Sequence, residues 1–376
     1  MLNGIPIEPQ ITTYLYQKAT AAGVPISGTF ELTPVCNMNC KMCYVRMSRT
    51  QQESIRPLRT AREWLDLAGR AKEAGMLYLL LTGGEPFSHP QFREILTGLH
   101  AMGFVISINT NGTLIDETTV AWLKKTPPTR INISLYGASN ETYAKLCGNP
   151  NGFDTVDRAI TLLQEAGMTV KLSCSLTPHN AEDLPAITEY AKRRGLVLQV
   201  ATYMFPPVRK DASLVGQNDR FSPEQAAWYA AWSEYLALGK ERFLKAGEQL
   251  PHPTDAEESC ATVGDGVRCR AGRCSFWITW EGVMLPCGMF PCDREANNVF
   301  ESDFSAVWQA VRAQTDAIRL PAECADCSMK KTCRACAAMV VTESGRFDQV
   351  PAYRCQMTKA YPAQYRRLAK QVEESE

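Results

Sequence analysis

The sequence predicts an α/β protein, a partial parallel barrel followed by a cysteine-rich module. From about residue 28 to 203, short apolar runs alternate with amphipathic helical segments. Strands that alternate with helices need right-handed crossovers and therefore form a parallel sheet. Six such units are too few for a closed eight-fold barrel, so we expect an open or partial (β/α)6 barrel. The periodicity also allows a doubly wound sheet.

Six apolar runs are predicted to be the strands of this sheet. They are Gly28–Leu32, Tyr78–Leu81, Val105–Ile108, Ile131–Leu135, Val170–Leu176 and Val197–Tyr203. In parallel α/β sheets the ligand site lies at the carboxyl ends of the strands. Polar residues and cysteines that follow these strands are therefore the candidate site residues.

Helix-start signals fall between and after the strands. Thr60-Ala-Arg-Glu63 is a capping box ahead of an apolar stripe, and Ser88-His-Pro-Gln91 is predicted to begin the next helix in the same manner. Asp116 and Asn180 head two later helices. Ser222-Pro-Glu-Gln225 opens a long aromatic-rich helix, whose rings we expect to pack between domains and not to bind a ligand.

Five segments follow from these signals. They are an N-terminal extension (1–27), the barrel (28–205), a bridging helix and linker (206–259), the cysteine-rich module (260–360) and a C-terminal tail (361–376). The linker is predicted at the polar, proline-bearing stretch 251–258.

Composition excludes several classes of partner. The 376 residues carry a formal net charge of zero, and no basic run is present, which argues against nucleic acid or an anionic membrane as the main partner. The first 30 residues lack the basic and apolar regions of a signal peptide, and no apolar run is long enough to span a bilayer. We therefore expect a cytoplasmic protein, whose 15 cysteines bind metal and do not form disulfides.

The cysteines fall into two groups. Cys36, Cys40 and Cys43 form a C-x3-C-x2-C run with Tyr44 directly after it, behind the first predicted strand. One loop can aim three thiolates at a single inorganic centre, and a cubane with three protein ligands keeps one iron free to bind a substrate or cofactor. A chance grouping or half of a zinc site is the alternative.

Three later strands also end in polar segments. Thr82-Gly83-Gly84-Glu85-Pro86 follows the second strand, where glycines permit close backbone approach and the carboxylate can accept from an ammonium group. The third strand ends in Ser107-Ile-Asn109-Thr-Asn111-Gly112-Thr113 and the fourth in Asn132-Ile-Ser134. For Asn111-Gly112 a turn-forming role is the better hypothesis.

The C-terminal group contains ten cysteines between residues 260 and 355. Eight of them have regular spacing: Cys269-x4-Cys274, Gly282-x4-Cys287, Cys324-x2-Cys327-x5-Cys333-x2-Cys336, and Cys355. The segments 275–280 and 283–286 are predicted to form a hairpin with Glu281-Gly282 as its turn, which places Cys287 after the second strand.

The motifs C-x3-C-x2-C and GGEP together resemble those of the radical SAM (S-adenosylmethionine) family. The resemblance implies a partial barrel, a 4Fe-4S cluster on Cys36, Cys40 and Cys43, and cleavage of SAM to a 5'-deoxyadenosyl radical. It further implies SAM contacts from the remaining polar positions, namely Gly83, Gly84, Glu85, Asn109 and Ser134. Two positions depart from the family pattern: Met42 replaces an aromatic residue, so Tyr44 is expected to supply the ring, and Lys145 stands in for an arginine.

The C-terminal group resembles the SPASM domain, which implies two auxiliary 4Fe-4S clusters. Cluster I would have the ligands Cys269, Cys274, Cys287 and Cys336, and cluster II the ligands Cys324, Cys327, Cys333 and Cys355. The gap before Cys336 is one residue shorter than in the family, and Cys260 and Cys292 are spare, so the ligation of cluster I stays open. Two structural zinc sites are the alternative. Cys147 is expected to be a buried apolar residue, and Cys174 has no predicted role.

The resemblance implies a peptide-modifying oxidoreductase that installs a thioether, a carbon-carbon crosslink or an oxidation. Implied partners are a precursor peptide and a reductant such as flavodoxin or ferredoxin; the leader of the peptide is expected to bind either to a separate leader-binding protein or directly to the barrel. A dehydrogenase or epimerase of a sugar or aminoglycoside is the alternative. A sulfatase maturase is disfavoured because Gly288 occupies the position of that group's catalytic Asp. Beyond the cluster and the radical no catalytic acid or base stands out; Asp293, Glu281 and Tyr203 are only guesses.

Overall fold

A computed structural model describes residues 10–248, 250, 266–293, 296–330 and 332–375. Its strands are β1 (Ser27–Glu31), β2 (Tyr78–Thr82), β3 (Val105–Thr110), β4 (Arg130–Ser134), β5 (Val170–Ser175), β6 (Val197–Ala201), β7 (Ser275–Ile278) and β8 (Met284–Leu285). All six strands predicted for the barrel are confirmed, with ends that differ by two residues or fewer.

The α-helices occupy the segments between and after the strands. They are α1 (Gln10–Ala22), α2 (Arg49–Ile55), α3 (Ala61–Glu73), α4 (Phe92–Ala101), α5 (Glu117–Leu123), α6 (Asn140–Cys147), α7 (Gly152–Glu165), α8 (Leu184–Arg193), α9 (Pro223–Leu238), α10 (Lys240–Gly247), α11 (Phe304–Ala317), α12 (Ala337–Ser344) and α13 (Ala352–Glu374). Short 3-10 helices lie at Pro86–Ser88, Ala181–Asp183, Ala212–Leu214 and Ala322–Cys324. Among the described residues, no helix has the length and apolar character needed to cross a membrane.

The strand order decides between the two predicted sheet types. The sheet runs β6-β5-β4-β3-β2-β1-β7-β8, so the first six strands follow one another in chain order. A doubly wound sheet would reverse direction at its first strand. The order therefore supports the partial barrel and excludes the doubly wound alternative.

The two faces of the sheet differ in chemistry. Alternate residues of β3, β4 and β5, such as Ile108, Ile133 and Leu172, are fully buried against the helices. The intervening residues form a polar inner face, where Asn109 pairs in register with Asn132, and Ser134 with Ser173. Because side chains alternate along a strand, the barrel has an apolar outer layer and a polar interior.

The capping signals predicted most helix starts correctly. Thr60 and Ser222 are N-caps with complete capping boxes, and Asp116 caps α5. The expectation for Ser88 is wrong, because it ends a 3-10 helix and α4 begins only at Phe92. Gln91 was expected to form a capping box with Ser88. Its side chain instead accepts a hydrogen bond from Ala61 N at 3.0 Å.

The predicted hairpin is confirmed, and it joins the barrel. β7 pairs antiparallel with β8 through Trp277 and Ile278, and also pairs parallel with β1. Gly282 closes the turn with φ 103°, and its amide donates to Thr279 O at 2.9 Å. A left-handed residue is needed here, which is the conformation that glycine adopts at little cost. The C-terminal module therefore contributes a strand to the N-terminal sheet.

The bridging helix packs as predicted. Aromatic residues of α9 lie beside α13, where Phe243 of α10 stacks on Tyr365 with ring centroids 4.0 Å apart. α13 runs without a break across residue 360, so the predicted tail 361–376 continues a helix of the preceding module as far as Glu374. The predicted linker at 251–258 lies outside the described residues, and the five-segment division stays a prediction.

Candidate metal and cofactor site

The segment 33–43, here called the front loop, contains Cys36, Cys40 and Cys43 and follows β1 at the carboxyl edge of the sheet. Its backbone is fixed to the end of α6, since Asn39 N donates to Cys147 O at 2.8 Å and Lys41 N to Leu146 O at 3.1 Å. The loop therefore lies where a parallel barrel binds its ligands. The two hydrogen bonds to α6 help to hold it in this position.

The three thiols of the front loop lie in one partly buried group. Burial is the main cause that raises the pKa of Cys36 to about 12, and the nearby Glu85, Cys40 and Cys43 contribute to the rise. Backbone amides point at the sulfurs: Met38 N lies 3.4 Å from Cys36 Sγ, and Arg46 N lies 3.3 Å from Cys43 Sγ. These thiols become thiolates only beside strong positive charge, which bound metal supplies.

The donors of the front loop are three cysteine sulfurs supplied by one short segment. In a cubane each cysteine binds its own iron, so three cysteines can hold three of the four irons. The residues present suit an iron-sulfur cluster with three protein ligands.

The two glycines of the GGEP segment pack directly on the front loop. A Cβ on Gly84 would lie 2.6 Å from the carbonyl oxygens of Pro34 and Val35, and one on Gly83 would lie 2.6 Å from Thr33 O. Gly84 N donates to Thr33 O at 2.6 Å. Only glycine permits two backbone segments to approach this closely. The GGEP segment therefore helps to fix the position of the front loop.

Glu85 lies beneath this junction and is fully buried. Its carboxylate accepts from Phe87 N at 3.1 Å, from Thr110 Oγ1 at 2.8 Å and from Asn111 N at 2.7 Å. Burial raises its pKa to about 7, although these hydrogen bonds oppose the rise. The carboxylate therefore joins the ends of β2 and β3, and its expected contact with an ammonium group stays a prediction.

Asn111 is a site residue that the sequence analysis assigned to a turn. Its Nδ2 lies 3.6 Å from Cys36 Sγ and donates to Asn37 Oδ1 at 2.9 Å. Asn37 in turn donates to Thr113 Oγ1 at 2.8 Å, and Thr113 donates back to Asn111 Oδ1 at 2.7 Å. This closed set, the Asn111 network, holds the first cysteine. Its place directly after β3 was the available signal.

The predicted SAM positions on β3 and β4 face the barrel interior. Asn109 accepts from Asn132 Nδ2 at 2.7 Å, and the buried Asn132 Oδ1 has no partner within the described part of the chain. Ser134 ends β4 on the same face, in register with Ser173. The structure brings these polar groups together below the front loop.

The aromatic residues near the front loop are Tyr44 and Tyr136. Tyr44 turns towards the C-terminal module, with the Arg209 guanidinium 5.8 Å from its ring centroid. Burial raises the pKa of Tyr136 well above its usual value, and the nearby Cys40 adds to the rise. Tyr136 therefore lies near Cys40, the second cysteine of the front loop, although it was not among the site residues predicted from the sequence.

Two residues of α6 point in opposite directions. Cys147 is fully buried and approaches Cys40, whose pKa is raised first by a side-chain contact with Cys147 and then by burial. Lys145 is exposed, two residues along the helix and so on its other side. The backbone contacts of α6 with the front loop come from Leu146 and Cys147, and the expected contact of Lys145 with SAM stays a prediction.

In the C-terminal module, four cysteines form one group, the rear quartet of Cys324, Cys327, Cys333 and Cys355. Burial raises the pKa of Cys324, and Cys355, Cys333 and Cys327 each raise it further. Thr358 Oγ1 lies 3.8 Å and Ala335 N lies 3.4 Å from Cys333 Sγ. These four are the ligands that the resemblance implied for cluster II.

A second group contains Cys269, Cys287 and Cys336, here called the rear trio. Burial raises the pKa of Cys287, and the nearby Cys336 and Cys269 raise it further. Cys274, the fourth ligand implied for cluster I, is fully buried and accepts from Thr20 Oγ1 at 3.0 Å. Cys260 lies outside the described residues.

Of the three residues considered as acids or bases, Tyr203 lies just after β6, and Glu281 and Asp293 lie in the C-terminal module. Tyr203 donates to Glu343 Oε1 at 2.5 Å, and Glu343 also binds Arg220 at 2.6 Å, which makes Tyr203 part of a buried brace to α12. Glu281 is buried in the hairpin turn, and Asp293 is exposed. None of the three adjoins the front loop in the contacts described above.

Comparison with known proteins agrees with this geometry. Residues 30–191 match the Radical SAM superfamily. The chain is 26% identical over 346 residues to the AdoMet-dependent heme synthase of Methanosarcina barkeri, which covers 86% of this chain and 94% of that protein. It is 27% identical to the mycofactocin maturase MftC of Mycobacterium ulcerans, over 76% of this chain and 74% of that protein.

A solved structure shares the fold over most of the chain. SuiB of Streptococcus suis, determined with its precursor peptide SuiA, superposes with a TM-score of 0.63 at 19% identity, over 91% of this chain and 80% of SuiB. The superfamily uses SAM and a 4Fe-4S cluster, and the residues of the front loop suit both. Residues 30–191 therefore form a radical SAM domain, and the cysteine-rich module with the spacing described above follows it in the chain.

Proposed function

We propose that this enzyme cleaves SAM at the front loop and abstracts hydrogen from a ribosomally made peptide bound at the barrel mouth. The observation that carries the proposal is the front loop itself: three thiols at the carboxyl edge of the sheet, seated on the GGEP backbone and contacted by Asn111. A cluster there, when bound, supplies the electron that cleaves SAM. The polar interior around Asn109, Asn132 and Ser134 would hold SAM.

The peptide substrate rests on the relatives. MftC is named as a maturase, and SuiB binds a precursor peptide. We extend this class of substrate to the present chain, with a thioether, a carbon-carbon bond or an oxidation as the product. An external reductant such as flavodoxin or ferredoxin and a separate leader-binding protein are the further partners that we propose.

Two auxiliary clusters in the module complete the proposal. The rear quartet offers four thiols, enough to close the coordination of one cubane, and the rear trio offers three for another. A cluster on the rear quartet, with no open iron, would serve as an electron acceptor after hydrogen abstraction.

A second candidate is synthesis of haem, because the heme synthase of Methanosarcina barkeri aligns along 94% of its own length. The two candidates differ in substrate, while both begin with SAM cleavage. A purified enzyme, incubated without oxygen with SAM and dithionite, is expected to release 5'-deoxyadenosine in either case.

The substrate test adds a short cysteine-bearing peptide encoded beside the gene, and separately a tetrapyrrole precursor of haem. We expect the peptide to lose two hydrogen atoms, detected by mass spectrometry, and the tetrapyrrole to stay unchanged. Conversion of the tetrapyrrole alone would establish the second candidate. Absence of 5'-deoxyadenosine from a fully reconstituted enzyme would contradict the proposal as a whole.

A further inference from the structure

A buried ion pair spans the opening of the partial barrel. Strand β6 forms one edge of the sheet, and β1, β7 and β8 lie at the other end of the strand order. Arg209, in the segment after β6, donates through Nη2 to both oxygens of Glu31, the last residue of β1, at 2.9 and 3.0 Å. Only 8% of the Arg209 side chain and none of the Glu31 side chain is exposed. The pair therefore joins the two ends of the sheet at its carboxyl edge.

The same pair holds the loop that follows the hairpin. Arg209 Nη1 donates to Gly288 O at 2.9 Å, and Trp277 Nε1 donates to Glu31 Oε2 at 3.1 Å. A Cβ on Gly288 would lie 2.6 Å from the Trp277 ring, so the backbone directly after Cys287 packs on that ring. The position of this backbone therefore depends on both members of the ion pair.

The guanidinium also contacts the residue that follows the front loop. Tyr44 comes directly after Cys43, and Arg209 Cζ lies 5.8 Å from its ring centroid, within the range of a cation–π contact. Gly288 comes directly after Cys287 of the rear trio. One buried guanidinium therefore contacts a neighbour of a front-loop cysteine and a neighbour of a rear-trio cysteine.

The segment that carries Arg209 is fixed by a turn. Val208 N donates to Pro206 O and Lys210 N donates to Pro207 O, each at 2.9 Å. The two prolines restrict the backbone, so less conformational entropy is lost when Arg209 is held in place. A buried ion pair is often no more stabilising than apolar residues of similar size. Its bidentate geometry does fix the groups that it joins, which favours a role in position over one in stability.

We propose that Arg209, paired with Glu31, is a positioning residue that sets the distance between the front loop and the rear trio. The inference rests on the proposed function, because it assumes a cluster at each site. In that function the peptide gives one hydrogen atom to the 5'-deoxyadenosyl radical. It then gives one proton to solvent and one electron, through the rear trio, to the rear quartet. Displacement of the rear trio would therefore slow product formation and leave SAM cleavage in place.

The test removes both members of the pair, because removing one would leave a buried charge unpaired. The pair variant carries Glu31→Gln and Arg209→Gln. The matched control carries Arg220→Gln and Glu343→Gln and removes another buried ion pair, whose Nη1 and Oε1 atoms lie 2.6 Å apart. After anaerobic reconstitution both should keep about twelve irons. We expect the pair variant to form about 10-fold less modified peptide per 5'-deoxyadenosine released, and the control to match the wild type.

A second measurement reports position without a substrate. The microwave power that saturates the EPR signal of the front cluster depends on the distance to neighbouring paramagnetic clusters. We expect it to change in the pair variant and not in the control. Arg209→Lys keeps the charge but lacks the planar fork that reaches Gly288 and Glu31 together. It should therefore give a smaller change in the same direction.

An unchanged saturation power in the pair variant, or an equal change in the control, would overturn the proposal. If the pair variant loses iron, Arg209→Lys decides, and an unchanged saturation power there would overturn the proposal as well. Release of 5'-deoxyadenosine is measured on the same samples. Its absence from the wild type would count against the proposed function, whereas the comparison of saturation powers alone decides the role of Arg209.

Discussion

The front loop and the rear quartet both gather cysteines, but on different supports. The front loop lies on strand ends, with Gly84, Glu85 and Asn111 fixing its backbone and its first sulfur. The rear quartet lies on a 3-10 helix, a loop and the first turn of α13. Three thiols leave one iron of a cubane without a protein ligand, whereas four thiols can bind all four irons. On the proposed function, the first arrangement suits SAM cleavage and the second suits electron transfer.

The largest expected effect comes from opening the rear quartet. Cys327→Ala combined with Cys355→Ala should remove about four irons per chain and abolish modified product. Release of 5'-deoxyadenosine should continue, because the front loop is untouched. Iron analysis and chromatography measure the two effects separately.

Cys174→Ala is the control for that variant, since Cys174 is a buried residue of β5 that belongs to neither the front loop nor the rear quartet and accepts from Asn180 Nδ2 at 3.8 Å. It should keep all iron and product at a stability cost of about 1 kcal/mol. If the double variant stopped SAM cleavage as well, the separation of the two regions would be wrong.

The next effect tests the contact between the GGEP backbone and the front loop. Gly84→Ala places a methyl group against two carbonyl oxygens, so we expect a loss of about 1–3 kcal/mol in unfolding free energy and weaker cluster retention. Chemical denaturation and iron content measure both. Gly69→Ala, in α3 with no atom within 4 Å of its Cβ, should instead gain about 0.5–1 kcal/mol. If both variants changed the unfolding free energy and the iron content equally, the contact between the GGEP backbone and the front loop would not stabilise the site.

A smaller effect concerns the Asn111 network. Asn111→Ala removes the donor to Cys36 Sγ, and we expect about a 10-fold slower SAM cleavage with a shifted reduction potential of the front cluster. Thr113→Val breaks the network but keeps that donor, so its potential should shift less. The potentials are measured by EPR-monitored titration, and an unshifted potential in Asn111→Ala would show that the contact does not tune the cluster.

The smallest effect is a pH dependence from Glu85. Its pKa is raised from 4.5 to about 7, so the folded state binds more protons than the unfolded state between these values. Stability from this group is present below pH 4.5 and is lost as the pH rises through 7. Glu85→Gln cannot ionise, so its free energy of unfolding relative to the wild type should rise by about 1–3 kcal/mol from pH 5 to pH 8. A constant difference across that range would contradict the raised pKa.

Apolar runs and capping residues were enough to predict the barrel. The six strands and the caps at Thr60, Asp116 and Ser222 follow from local rules. The pairing of β7 with β1 could not be predicted, because it joins strands that are far apart in the chain, Ser27 beside Ser275, and no local signal identifies the partner strand. The start of α4 was misplaced because the side chain of Gln91 bonds to α3.

The candidate site likewise contains residues that local sequence patterns predicted and residues that they did not. Cysteine spacing was enough to suggest the front loop and the rear quartet. Asn111 was missed because a turn-forming Asn and a sulfur-contacting Asn look alike until the loop from β1 is placed beside it. The exposure of Lys145 could not be predicted, because its position in the sequence does not reveal on which face of α6 its side chain lies.

The most direct test of the account is the iron and sulfide content of the anaerobically reconstituted enzyme, with EPR spectra recorded with and without SAM. The wild type is compared with a variant in which Cys36, Cys40 and Cys43 are all alanine. We expect about twelve irons falling to about eight, with loss of the one signal that SAM perturbs. Zinc in place of iron, or a SAM response that survives in the variant, would contradict the assignment of the front loop.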